Sequence, residues 1–263
     1  MKKLYRYHIP FAAILCALLV TIGIAQFTIA AQKKEARVTQ VIKDVRLLAS
    51  GISPRPASVN DAVGSGTAVR TGVDSRTELT FPDQSLARLG ANSVFNFSEG
   101  GKELDLNSGA ILLAVPKSSG EVQIRTAAAT AAVTGFTAIY EFHRKGVSKF
   151  MLLDGNVSFQ IKGLPTPCVF EGGHMIVIPP RPIRCPDILT FDVEKVLKSA
   201  KLITIKPLPK WALDPILVVI EDQKTSPPPG GFTDPTNLDT HDQAANAMPT
   251  AMPRHETPPP KGF

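Results

Sequence analysis

Five histidines and three cysteines are the first candidates for chemistry in this 263-residue chain. His8 lies in a basic N-terminal stretch, and His241 and His255 lie near the C-terminus, which leaves His143 and His174 in the body. Neither has further ligands at metal-binding spacing, and there is no Gly-Lys-Ser phosphate loop, His-Glu-x-x-His helix or Gly-x-Ser-x-Gly elbow. The serines cluster among turn residues, where a hydroxyl caps backbone groups. Asp83, Asp105 and Asp154 also sit in turn-like contexts. Calcium ligation would need several carboxylates converging on one loop, a spacing the sequence lacks. No catalytic residue, metal or cofactor is assigned, and the expectation is a protein without enzymatic chemistry.

The cysteines carry more information. Cys16 lies inside an apolar segment and is preceded by Ile14 and Leu15, not by the small residues of a lipoprotein signal. Cys168 and Cys185 remain. In an oxidising compartment such a pair predicts a disulfide closing a loop of about 17 residues, worth roughly 3 kcal/mol in loop entropy.

The compartment is set by the N-terminus. Lys2, Lys3 and Arg6 precede a stretch without charge from Ile9 to Ala31, the pattern of an export signal. Small residues suit cleavage after Ala25 or Ala31. Against cleavage, residues 9–31 at about 1.5 Å rise each reach roughly 34 Å, enough to stay in the inner membrane as an anchor. Both outcomes place the rest of the chain outside the cytoplasm. Of the formal net charge of +6, those three N-terminal residues supply half. The remainder, without a basic stripe interleaved with aromatics, gives no reason to expect a nucleic-acid partner.

The elements behind these residues read as β-strands. Residues 36–180 contain short runs of apolar residues broken by Gly, Asp, Asn and Ser, with about ten strands of four to six residues. These include Thr77–Phe81, Leu86–Leu89, Glu103–Leu106, Ala110–Val115, Thr137–Phe142, Lys149–Leu153, Val157–Ile161 and His174–Ile178. Turns are expected at Pro82–Ser85, Asn107–Gly109 and Asp154–Asn156. Asp-Gly and Ser-Gly pairs supply the positive φ of tight turns there. The fold class is therefore all-β. Residues 181–222 form an extension with one short helix, marked by Val193, Val196, Leu197 and Ala200, that caps the β core, and one apolar strand-like run. Residues 223–263 hold nine prolines and predict a disordered, Pro-rich tail.

The order of turn motifs resembles that of FecR-like domains. Ala68–Gly72 is similar to the segment that opens them, and Pro82–Leu89 to their strand–turn–strand around Asp83. Leu104–Ile111 with Gly109, Ala132–Thr137 with Gly135, Leu153–Val157 with Asp154 and Gly155, and Glu171–Met175 with Gly172 come next in order. Gln84, Phe136 and Asp154 depart from the usual Gly, Thr and Glu. The resemblance implies a solenoid-like or rolled antiparallel β domain in the periplasm. It also implies kinship with regulators that join a cytoplasmic anti-sigma segment, one membrane span and a periplasmic sensing domain. Eight residues precede the apolar run here, so the expectation is a stand-alone exported protein without an anti-sigma segment. Its partner would be an envelope protein or a cell-wall glycan. The alternative is a sensing subunit of a transmembrane signalling or transport-regulation system.

Overall fold

The computed structural model describes residues 35–98 and 101–235. The apolar segment 9–31 with its two cleavage positions, Cys16, and the tail beyond residue 235 lie outside the described residues. No helix among the described residues is long and apolar enough to cross a membrane.

The chain opens with β1 (Ala36–Ile42), β2 (Val45–Leu48), β3 (Arg55–Pro56), β4 (Ala62–Val63), β5 (Ala68–Thr71), β6 (Arg76–Thr80), β7 (Leu86–Leu89) and β8 (Val94–Phe97). Three long strands dominate the middle of the chain: β9 (Glu103–Val115), β11 (Ala129–Phe142) and β12 (Ser148–Ile161), with β10 (Glu121–Arg125) between the first two. Then come β13 (Cys168–Glu171), β14 (His174–Ile178) and β15 (Leu189–Thr190), followed by α1 (Val193–Ser199), α2 (Lys201–Thr204) and α3 (Lys210–Thr225).

All fifteen strands join in one open sheet, ordered β15-β14-β12-β11-β10-β9-β7-β6-β1-β4, with β13 on β12 and the β2, β3, β5, β8 group joined through β9. The pairings are antiparallel except between β9 and β10, which run parallel with Ile124 opposite Leu104. The sheet is thus open and mixed, where the resemblance implied a solenoid-like or rolled antiparallel domain. β9 curves far enough that residues 116–122 suffice to bring β10 alongside its start.

Two expected turns are absent. Asn107–Gly109 lies inside β9, and Asp154–Asn156 lies inside β12. The cause is the backbone at one residue of each. A two-residue hairpin of type I′ needs positive φ at both central positions. Here Gly155 has φ +99° and Gly109 φ +89°, while Asp154 and Ser108 do not share that region. A single left-handed glycine makes a bulge, so the strand bends and continues.

Each bulge also resets which side chains face inward. In β11 the residues of the main core are Ala129, Ala131 and Val133 before Gly135, then Phe136, Ala138, Tyr140 and Phe142 after it. In β12 they are Phe150 and Leu152 before Gly155, then Val157, Phe159 and Ile161. In β9 they are Leu104 and Leu106, then Ile111, Leu113 and Val115 beyond Gly109. A one-residue shift flips every following side chain to the other face. Without the bulges, half of each long strand would present the wrong face to the core.

The opposite face of these strands is also buried. Leu112, Ala114, Ile139, Met151, Leu153 and Met175 pack against Val196, Leu202, Ala212, Ile216 and Ile220 of the helices. Strands covered on both faces read as continuous apolar runs, which is why Ala110–Val115 shows no alternation.

The helical cover is larger than one short helix. α1 sits where the sequence placed it, with Asp192 as its N-cap, its carboxylate accepting from Lys195 N at 2.9 Å. The apolar run near residues 216–220, read as strand-like, is helical. Its β-branched residues favour a strand locally, but Ala212, Ile216 and Ile220 fall at four-residue spacing and bury one face on the sheet. Pro215 forfeits one helical hydrogen bond, yet the helix continues to Thr225, across the expected boundary at residue 222. The first part of the Pro-rich tail also packs. Thr233 N donates to Thr190 O at 2.8 Å, Lys195 pairs with Asp234 at 2.6 Å, and Pro235 is buried with its carbonyl accepting from Lys149 Nζ at 2.8 Å. These backbone and ionic contacts hold a segment that its composition alone would leave free.

Candidate functional site

Gly135, Gly155 and Gly172 come from three neighbouring stretches of chain and touch in a row across the sheet. The β11–β12 register breaks between Thr134 and Thr137, beside Gly135. Gly172 N donates to Gly155 O at 2.9 Å, and Gly173 N to Leu152 O at 2.8 Å. A Cβ on Gly155 would stand 2.8 Å from Gly135 O, and one on Gly135 would stand 2.9 Å from Lys117 Cα. The row is where β12 exchanges one partner for another, β14 along Ser148–Leu152 and β13 along Asn156–Phe159.

Above this row lies a cleft of about 560 Å³, open to solvent and lined by Lys117, Asp154, Asn156, Glu171, His174 and Asp222 among others. Lys117 comes from the turn after β9, and Asp222 from the last turns of α3. Gln223, also in the lining, anchors that end of the helix, since its Nε2 donates to Phe191 O at 2.9 Å and its Oε1 accepts from Val193 N at 3.2 Å.

Three acidic side chains and one lysine set the charge of the cleft. Partial burial pushes the Asp154 carboxyl above its ordinary value, with the Lys117 charge and the Gly155 N–H opposing that shift. His174 Nδ1 stands 3.1 Å from Glu171 O and 3.2 Å from Gly172 O. Carbonyl oxygens only accept, so the neutral ring carries its proton on Nδ1 and leaves Nε2 as an acceptor. The arrangement offers carboxylates, an amide, an imidazole and an ammonium over a floor without side chains, suited to a ligand rich in hydrogen-bonding groups. Among the described residues no group of three or more His, Cys, Asp or Glu is placed to hold a metal.

The family-motif residues read from the sequence divide. Gly135, Asp154, Gly155 and Gly172 meet at the cleft. Asp83 lies in the β6–β7 turn, where its carboxylate accepts from Ser85 N at 3.0 Å and Gln84 takes φ +70°. Gly109 lies against Ser93 on β9. Cys168 and Cys185 form the disulfide, with Cα atoms 5.8 Å apart. Sequence reasoning missed Lys117, Asp222 and Gln223. They reach the cleft through the sharp curl after β9 and through a helix read as a strand.

Residues 67–158 match the family described as FecR protein. Two crystal structures, each of a candidate anti-sigma factor from Parabacteroides distasonis ATCC 8503, show partial likeness. The first is 14% identical with a TM-score of 0.41, over 50% of this chain and 64% of that one. The second is 11% identical with a TM-score of 0.40, over 60% of this chain and 91% of that one. This chain thus spans less than two thirds of the first structure. No curated protein matches it. The Asp83 turn and the Gly109, Gly135 and Gly155 bulges all fall inside the matched stretch, and the chain carries a FecR domain at residues 67–158.

Proposed function

We propose that this protein is a non-enzymatic binding and sensing module of the cell envelope, which engages an envelope protein or a cell-wall glycan through the cleft over the glycine row. The observation that carries the reading is the meeting of Gly135, Asp154, Gly155 and Gly172, four motif residues, in one polar cleft. In this reading residues 1–31 direct export, residues 36–180 form the binding domain and residues 181–235 cover it. The disulfide supports an oxidising compartment, because such bonds persist in the periplasm and are reduced in the cytosol. The FecR domain supports a sensing role over a purely structural one.

The test uses the purified full chain, incubated separately with peptidoglycan sacculi and with detergent-solubilised envelope protein. The wild type is expected to be retained by one of the two. A rim variant carrying Glu171→Arg and Asp222→Arg should lose that retention, while Asp83→Arg, remote from the cleft, should keep it. Retention by neither, or equal retention of the rim variant, rejects the reading.

A further inference from the structure

A second hollow of about 380 Å³ lies between the sheet and the helices and shares no lining residue with the cleft over the glycine row. Its walls are apolar: Ile139 and Met151 from the sheet, Val196 and Leu202 from the helices, with Gly90 and Ala110 between them. Gly90 keeps the space open, since a Cβ there would already crowd the Ala110 side chain at 3.2 Å.

The charged residues of this hollow are not balanced. Glu141 is neutralised by Lys149 at 3.1 Å, and the same ammonium holds the Pro235 carbonyl. Arg76 and Lys201 also line the hollow, and neither side chain has a hydrogen-bond or ion-pair partner among the described residues. An apolar recess with two uncompensated cations selects a ligand that is apolar at one end and anionic at the other. A cationic amphiphile would gain the same apolar contact and meet repulsion.

We propose that this hollow binds a small amphiphilic carboxylate, with its hydrocarbon part against Ile139, Met151, Val196 and Leu202 and its carboxylate toward Arg76 and Lys201. The ligand is a free small molecule of the envelope, and the site stands independently of the cleft described above.

Full-length protein with ¹³C-labelled methionine methyl groups provides the readout, because Met151 lies in the wall. Octanoate is expected to shift the Met151 methyl resonance saturably, and octylammonium is not. Arg76→Gln and Lys201→Gln should each weaken octanoate binding about tenfold, the loss of one charge-assisted hydrogen bond. Ala91→Leu, at a partly exposed lining position, should fill the entrance and abolish the shift. No saturable shift with octanoate, an equal shift with octylammonium, or unchanged affinity in both glutamine variants would overturn the assignment.

Discussion

Arg88 Nε donates to Glu78 Oε2 at 2.9 Å across the β6–β7 pair, and both side chains are almost wholly buried. The same guanidinium reaches out of the sheet. Its Nη1 donates to Leu202 O and Ile203 O at 3.0 Å each, and its Nη2 to Pro207 O at 3.2 Å. Glu78 also accepts from Thr39 Oγ1 at 2.6 Å and Lys206 Nζ at 2.7 Å. The pair therefore fastens α2 and the segment after it to the sheet, and satisfies carbonyls that a short helix leaves without intrahelical partners.

Breaking this network should be costly. Removing Arg88 takes from the buried Glu78 one of its two cationic partners, leaving Lys206, and takes from the Leu202, Ile203 and Pro207 carbonyls their donor, at about 3 kcal/mol, the low end for breaking a buried pair. Arg88→Met is expected to lose that much in denaturant unfolding. Adding Glu78→Gln should return part of it, because the buried carboxylate left with Lys206 as its one cationic partner is gone. A double variant whose loss equals the sum of the two singles would show that the side chains act independently.

The same pair predicts an acid limb. Burial alone would raise the Glu78 carboxyl, but bonds from Lys206, Thr39 and Arg88 together hold it below its ordinary value. A depressed folded-state value means stability present above the ordinary carboxylate range and lost as pH falls through and below it. Wild-type unfolding free energy should therefore drop more steeply on acidification than that of Glu78→Gln. Parallel curves for the two proteins would refute the assignment.

The glycine row makes a steric prediction. At Gly135 a methyl group would press on Lys117 Cα at 2.9 Å in addition to adopting φ +55°. At Gly51, with φ +74°, nothing lies within 4 Å. Gly51→Ala thus costs backbone strain alone, about 1 kcal/mol. Gly135→Ala adds a collision with main chain and is expected to cost roughly 2 kcal/mol more. Equal losses in chemical denaturation would mean that the bulge yields freely.

The disulfide should contribute roughly 3 kcal/mol through the loop it closes. Cys168→Ala with Cys185→Ala is expected to lose that much in denaturant midpoint experiments, and wild type under reductant should match the double variant. Thiol titration of unfolded protein should find two more reactive groups after reduction than before. An unchanged count would remove the bond from the account.

How much of the fold was legible in the sequence depends on the range of each signal. Strand identity survives because β-branched and aromatic residues fix it locally, as at Thr77–Phe81 and His174–Ile178. The disulfide was legible because its two cysteines are the pair left in the body of the chain. Strand continuity through Gly109 and Gly155 was not, since Asp-Gly and Ser-Gly spell a turn or a bulge equally well until φ at the preceding residue is known. The helix at Lys210–Thr225 was hidden by its valines and isoleucines, whose local preference yields to burial of Ala212, Ile216 and Ile220. The cleft depends on both of these readings. Four of its motif residues were named in advance, while Lys117, Asp222 and Gln223 enter through long-range packing that no local pattern encodes.

Asp154 provides a prediction of opposite sign to Glu78. Burial raises its carboxyl, and the Lys117 charge and the Gly155 N–H recover only part of the shift. A raised folded-state value means that the protonated acid is favoured by folding, so stability is complete below the ordinary carboxylate range and falls as pH rises through the folded value. Asp154→Asn keeps the shape and removes the charge. Both proteins retain Glu78, so its contribution cancels in their difference. The variant should match wild type at the acid end and become the more stable protein at neutral pH, with the gap opening across the interval between. Lys117→Met should widen that gap by removing the opposing charge. Denaturant midpoints measured at intervals from about pH 3 to pH 7 decide the matter. A gap that stays flat, or an asparagine variant that is the weaker protein at pH 7, would mean that the cleft stabilises the Asp154 carboxylate instead of straining it.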